Sequence, residues 1–368
     1  MYFLKFRPRY LILLVALSIY SCDEDNITDS QDLPVKRLYV YSNSGNTVYA
    51  VDYGTFEIVD TISFSLPDSI QSHRICLSTD GDHIVFNAVV NYPPYDHIMG
   101  SYYIPEDSTY GYFRTGFDTV TGPRLTAAHI KTEPGLVYLV SQTFGIILVD
   151  FLAGNVANYI LPEIDRGISR EIYFSPDNQY TTIVKTYIPL SWGAYSEIEF
   201  YSHDSKLQDL LFTLNEQDRD SIYISDMVFS ENSEFLYTTY RLSRLRSRYI
   251  QCYYGKYAIS QKEFYPSPIK LPWSLNPYYM TYSPKRSEVY TVGAYDTLYV
   301  IDADNSILKD KIVLHGKSSG PSRIVLRPDE NIAFLSCAGD NRVLVISLET
   351  RRVLGSIALP TAYRLLIP

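Results

Sequence analysis

Residues able to act as acids, bases or nucleophiles are present in this chain, but their spacing assembles no catalytic set. Gly316-Lys-Ser-Ser-Gly320 fits the Gly-x-Ser-x-Gly pattern. That nucleophile needs a sharp strand-to-helix turn, whereas here the segment joins two strand-like stretches. The six histidines, at positions 73, 83, 97, 129, 203 and 315, include no pair at metal-ligand spacing. The carboxylate pairs Asp23/Asp25 and Asp302/Asp304 fall in a polar segment and a turn, where solvation or turn capping accounts for them. Cys76, Cys252 and Cys337 show no paired spacing and read as buried thiols. No catalytic residue, metal or cofactor is therefore expected.

What remains is binding chemistry. Tyr95, Trp192, Tyr195 and Trp273 lie in or beside proline-bearing segments, where stiffly held aromatic rings offer large contact area at little entropic cost. The alternative is that the two tryptophans fold back as plugs over neighbouring strands. Arg244 and Arg246 are two apart, on one side of an extended segment, and suit an anion or carboxylate unless they form a solvated hairpin. Arg74, Glu171, Asp226 and Arg323 recur at one aligned position. They read either as a polar ring contacting a ligand or as salt bridges between neighbouring structural units.

The elements that must carry these residues are legible from 321 to 357. Arg323–Leu326, Ala333–Cys337, Arg342–Ile346 and Arg352–Ile357 read as four short strands. Arg327-Pro-Asp-Glu330, Ala338-Gly-Asp-Asn341 and Ser347–Thr350 are the turns between them. Such an antiparallel meander cannot bury both faces alone and needs neighbours of its own kind.

Its first-strand-plus-turn signature recurs from Ile75, Ala128, Ile172, Met227, Met280 and Ile324, and a last copy, Arg364-Leu-Leu-Ile-Pro368, meets the chain end. The residues before each copy align at Arg74, Ala127, Glu171, Asp226, Tyr279, Arg323 and Tyr363, with a spacing of roughly 40 to 55 residues, that of a propeller blade. The pattern predicts an all-β fold, a seven-bladed β-propeller of four-stranded antiparallel blades. It is expected to close by Tyr363–Ile367 pairing with Leu38–Ser42. Segments joining second to third strands and one blade to the next share one face of such a disc. Asn91–His97, Tyr187–Tyr195, Arg241–Arg248 and Tyr265–Trp273 are long connections of these two kinds.

Leu38-Tyr-Val-Tyr-Ser-Asn43, Thr47-Val-Tyr-Ala-Val-Asp52 and Ala333-Phe-Leu-Ser-Cys-Ala-Gly-Asp-Asn341 resemble the YVTN-type β-propeller repeat, as does Thr297-Leu-Tyr-Val-Ile-Asp302. The middle of the chain keeps the strand rhythm but loses the Asn and the tight turn. That resemblance implies the fold and leaves function open, because such propellers include enzymes, binding proteins and scaffolds.

The N-terminus carries an address. Lys5, Arg7 and Arg9 precede an apolar run, and Ile19-Tyr-Ser-Cys22 resembles a bacterial lipoprotein cleavage box. Asp23-Glu-Asp25 resembles the surface-export signal of Bacteroidetes lipoproteins, a background that suits the 35 tyrosines. The expected organisation is a signal peptide over 1–21, Cys22 lipidated, a flexible acidic tether over 22–34 and the propeller over 35–368. A lipid anchor places the chain in the outer membrane, at the cell surface. The net charge of −9 argues against nucleic acid. The expected function is capture of a small-molecule nutrient, a glycan or an envelope protein partner, similar to the cobalamin-capturing propeller lipoproteins of gut Bacteroidetes. The alternatives are an enzyme resembling propeller lactonases or lyases, and an envelope interaction scaffold.

Overall fold

The computed structural model describes residues 36–42, 47–64, 70–77, 82–90, 97–105, 108–114, 127–130, 136–141, 145–150, 153, 155–159, 168–177, 179–187, 195–202, 207–211, 220–244, 249–272, 277–293, 297–314 and 321–367. Among them, regular structure is strand apart from two single 3-10 turns, at Pro284–Arg286 and Ala338–Asp340. β-branched and aromatic residues dominate the strands, where they fit a pleated surface buried between neighbours.

The first sheet contains β1 (Arg37–Ser42), β2 (Thr47–Asp52) and β3 (Ile58–Ser63). Next come β4 (Ile70–Leu77), β5 (His83–Val90), β6 (His97–Tyr103) and β7 (Ser108–Arg114), followed by β8 (Ala127–Ile130), β9 (Leu136–Ser141), β10 (Gly145–Asp150) and β11 (Asn155–Tyr159). The fourth sheet has β12 (Ile168–Phe174), β13 (Tyr180–Tyr187), β14 (Tyr195–Ser202) and β15 (Leu207–Leu211). The fifth has β16 (Asp220–Phe229), β17 (Phe235–Arg244), β18 (Tyr249–Ala258), β19 (Glu263–Phe264) and β20 (Ile269–Leu271). The last two sheets are β21 (Pro277–Ser283) to β24 (Ile307–Val313), with β22 (Glu288–Gly293) and β23 (Thr297–Asp302), and β25 (Pro321–Leu326) to β28 (Arg352–Ala358), with β26 (Ile332–Cys337) and β27 (Arg342–Ser347). Finally β29 (Ala362–Leu366) returns to the first sheet and pairs with β1, Val40 opposite Leu365.

Every described pairing is antiparallel, and the fold is an all-β propeller. Apolar side chains meet between the faces of neighbouring sheets. Tyr290, Val300 and Ile312 pack with Ile324, Leu335 and Leu344 across one junction. Leu38, Val40 and Leu365 pack with Phe334, Val343 and Ile357 across another. Burying this apolar surface is the main force holding sheets together. The innermost strands touch in succession, β12 to β16, β16 to β21, β21 to β25, β25 to β29, β29 to β4, β4 to β8 and β8 to β12.

Outer strands need protection, because an exposed strand edge invites pairing with another chain. Each of three outer strands is bent by a bulge, at Val59 in β3, Lys309 in β24 and Leu354 in β28. The bulge is followed by Asp60, Asp310 or Gly355, and both aspartates accept a bond from the next backbone amide. A bulge twists the edge away from a flat template.

Two sequence expectations need correction. Tyr265–Trp273 was expected to be one long inter-blade connection, but Ile269–Leu271 pairs with Tyr254–Cys252 of β18 and continues the outer strand begun by β19. Pro266 and Pro268 have no amide hydrogen for the ladder, so the strand breaks there and resumes. The second correction concerns alignment. In β29 Ala362 faces Ser42 and Arg364 faces Tyr41, so Tyr363 is the bulged residue and Arg364 occupies the place equivalent to Arg323.

Candidate functional site

The aligned polar position has a structural cause that alternating patterns do not reveal. Each of five inner strands skips one residue just before it: His73, Arg170, Ser225, Tyr278 and Ser322 are bulged, and Arg74, Glu171, Asp226, Tyr279 and Arg323 follow. Two residues then oppose one, which raises the local twist at the narrow centre of the propeller.

Among these residues Asp226 is the clearest bridge. Its side chain is buried, and Oδ1 accepts from the Tyr173 hydroxyl at 2.5 Å and from its neighbour, the Met227 amide, at 2.9 Å, while Oδ2 accepts from the Met280 amide at 2.7 Å. One carboxylate thus joins β12, β16 and β21. Removing such a carboxylate leaves its donors without an acceptor in a buried place, which is costly. Asp226 thus joins neighbouring units through the Tyr173 hydroxyl and the Met280 amide, whereas the sequence reading was of salt bridges.

The other expected binding residues divide by position. Tyr195 opens β14 opposite Tyr187, and Arg244 closes β17 opposite Tyr249. Cys22, Tyr95, Trp192, Arg246 and Trp273 lie outside the described residues.

A cleft of 530 Å³ lies among the inner strands, lined by parts of β12, β16, β21 and β25, by the turn after β25 and by Ile367. Its walls combine half-buried rings, Tyr173, Phe174 and Tyr282, with Arg323, Arg327 and Glu330. Successive turns of a meander alternate ends, so the turns after first strands lie at the end opposite the second-to-third and inter-blade connections to which the sequence assigns the aromatic candidates. Arg327 and Glu330 were not singled out from sequence. The signal was nevertheless there: the corresponding turns begin with Ser175, Ser230 and Ser283, and only this one among the four begins with arginine.

These turns share one construction. Ser175 Oγ accepts the Tyr180 amide and bonds Asp177, as Ser230 Oγ accepts the Phe235 amide and bonds Asn232. The fourth position is left-handed, φ 59° at Ser233 and 56° at Glu330. It also links neighbours: the Asp177 amide donates to Ser233 Oγ at 3.1 Å, and the Lys285 amide donates to Glu330 Oε2 at 3.0 Å. Ser283 Oγ also bonds Glu330 Oε2. Arg327 replaces the missing serine by gripping Asp329 through Nε at 2.8 Å and Nη2 at 2.6 Å, and these bonds hold the Asp329 carboxyl down at about 2.

Further from the cleft, Glu288 anchors the junction between the last two sheets. It is 2% exposed and accepts from Arg351 Nη2 at 2.6 Å, Lys309 Nζ at 2.8 Å and the Tyr290 hydroxyl. Burial pushes its pKa up, but the bonds from Arg351, Lys309 and Tyr290 outweigh burial and hold it at about 2. Cys252 and Cys337 are buried thiols outside any disulfide. Among the described residues no group of three or more His, Cys, Asp or Glu could hold a metal ion, and no helix is long and apolar enough to cross a membrane.

The fold and its cleft define the class: a β-propeller with an inner-strand cleft. Comparison with solved structures agrees on the fold. The chain is similar to the Pseudomonas aeruginosa periplasmic gluconolactonase PpgL, at TM-score 0.60 and 13% identity, over 89% of this chain and 98% of that one. It is also similar to the dihydro-heme d1 dehydrogenase NirN in complex with DHE, at TM-score 0.56 and 11% identity, over 89% and 74%. A third, apo AztD from Citrobacter koseri, matches at TM-score 0.52 and 10% identity over 90% and 97%. No protein-family profile matches the sequence, and no curated protein does. At these identities the likeness carries fold and not activity.

Proposed function

We propose that this protein is a membrane-anchored, surface-exposed lipoprotein whose propeller binds a small molecule. The supporting observation is the 530 Å³ cleft, whose mixture of half-buried rings and charged side chains on rigid strands is the usual character of a ligand site. The proposal includes a seven-bladed ring closed by the last strand. It draws support from the seven separate antiparallel sheets of the described residues and from the pairing of β29 with β1. It also retains the YVTN-type repeat, the lipid on Cys22 and the Bacteroidetes-type acidic export signal after it, all of which rest on sequence alone. Tyr95, Trp192, Tyr195, Trp273, Arg244 and Arg246 stay proposed as further ligand contacts, on sequence alone. A thermal-shift screen of the full chain against glycans, corrinoids and metal ions tests the reading, since a ligand that binds only the folded state raises its melting temperature. Absence of any shift across that panel contradicts it.

A further inference from the structure

The two fourth-position residues, Ser233 and Glu330, perform the same task with different chemistry. Each accepts the third-position amide of the preceding sheet's turn, Asp177 for Ser233 and Lys285 for Glu330. A single hydroxyl oxygen is enough for that. Glu330 does it with Oε2 alone, and among the described residues its Oε1 has no partner. The first position repeats the contrast. Ser175 and Ser230 close their turns with one hydroxyl each, while Arg327 closes its own with Nε and Nη2 and leaves Nη1 without a partner. Neither surplus atom is buried. The Glu330 amide donates to the Arg327 carbonyl at 2.7 Å, so both side chains spring from one tight turn at the cleft wall.

We propose, building on the small-molecule reading above, that this cleft takes a neutral polyhydroxylated ring, a saccharide. One hydroxyl would donate to Glu330 Oε1, a neighbouring one would accept from Arg327 Nη1, and the sugar's C–H face would lie on Tyr282 or Phe174. The charge pattern favours neutrality. The Arg327 guanidinium is already matched by Asp329, so it offers a donor with little net charge. An anionic ligand meets the Glu330 carboxylate, and a cationic one meets the guanidinium of Arg323 on the same wall. Adjacent hydroxyls present both a donor and an acceptor to this pair.

The sister turns supply variants that keep the architecture. Glu330→Ser copies Ser233 and Arg327→Ser copies Ser175, so each removes the surplus atom while retaining a side chain that already does the structural task elsewhere in the chain. Thermal-shift and calorimetric titrations of the full chain would use neutral monosaccharides and disaccharides, with citrate and inorganic phosphate in parallel. The expected result is stabilisation by at least one neutral saccharide. Each variant should bind it at least about tenfold more weakly while melting, unliganded, within about two degrees of the parent. Stabilisation by citrate or phosphate without any saccharide overturns the ligand class and leaves the cleft as a ligand site. Saccharide binding unchanged in both variants overturns the location. No response to any probe overturns this inference, and silence across the wider screen as well overturns the reading beneath it.

Discussion

The junction between β12 and β16 and the junction between β21 and β25 are built to one plan and finished differently. In the first, serines close each turn and reach the neighbour with single hydroxyls, and Asp226 ties three inner strands beneath. In the second, Arg327 and Glu330 occupy the serine positions and do the same closing and bridging with atoms to spare. A position that only has to hold sheets together can be filled by serine, as the first junction demonstrates. The larger charged groups at the second junction border the cleft, which is where surplus hydrogen-bonding capacity has a use.

The most damaging way to break this arrangement is to remove a junction altogether. Deleting 362–368 takes β29 from β1 and uncovers Leu38 and Val40, which pack with Leu365. The truncated chain should melt at least about 10 degrees lower. Melting within about two degrees of the parent would contradict the proposed closure.

Asp226→Ala tests the first junction from within. It removes the acceptor of the Tyr173 hydroxyl and of the Met227 and Met280 amides, and should cost about 3 to 4 kcal/mol in urea unfolding. A loss below about 1 kcal/mol would mean that these bonds do not join the strands.

At the outer part of the last junction, Arg351→Met should cost about 3 kcal/mol at pH 7, because it leaves the buried Glu288 carboxylate with Lys309 and Tyr290 alone. The sign of the pH dependence follows from the lowered pKa. Glu288 sits at about 2 in the folded chain against an ordinary 4.5, so its stabilisation is complete above pH 4.5 and is lost as the pH falls toward 2. The gap between parent and variant, followed by denaturant unfolding, should therefore narrow across that window. A gap that stays constant would assign the effect to packing of the arginine stem instead.

Gly255 accepts the ring of Phe264 so closely that an added Cβ would lie 2.7 Å from it. Gly255→Ala should cost about 1 to 2 kcal/mol, with thermal melting as the readout. It should leave saccharide affinity unchanged, since neither residue lines the cleft.

The repeating strands were legible because turn residues punctuate them: Ser175-Pro-Asp, Ser283-Pro-Lys and Arg327-Pro-Asp mark the first-strand ends directly. Bulges were not legible, because an extra residue leaves no pattern of its own, and so Tyr363 was aligned where Arg364 belongs. The split outer strand at Pro266 and Pro268 was read as a loop for a related reason: prolines interrupt the ladder without ending the strand's course. Of the cleft's charged groups the sequence pointed to Arg323 alone, because Arg327 and Glu330 sit in a tight turn of ordinary length. Only comparison of Arg327 and Glu330 with their serine counterparts distinguishes them.

The central claim is that a small molecule occupies the inner-strand cleft, and the most direct measurement fills that space. Thr281 is half-buried on β21 and lines the cleft, so Thr281→Trp puts an indole where the ligand would lie. The thermal-shift screen, repeated on this variant, should lose the stabilisation by the saccharide that binds the parent while the unliganded melting temperature stays within about three degrees. A ligand that stabilises parent and variant equally would contradict the account.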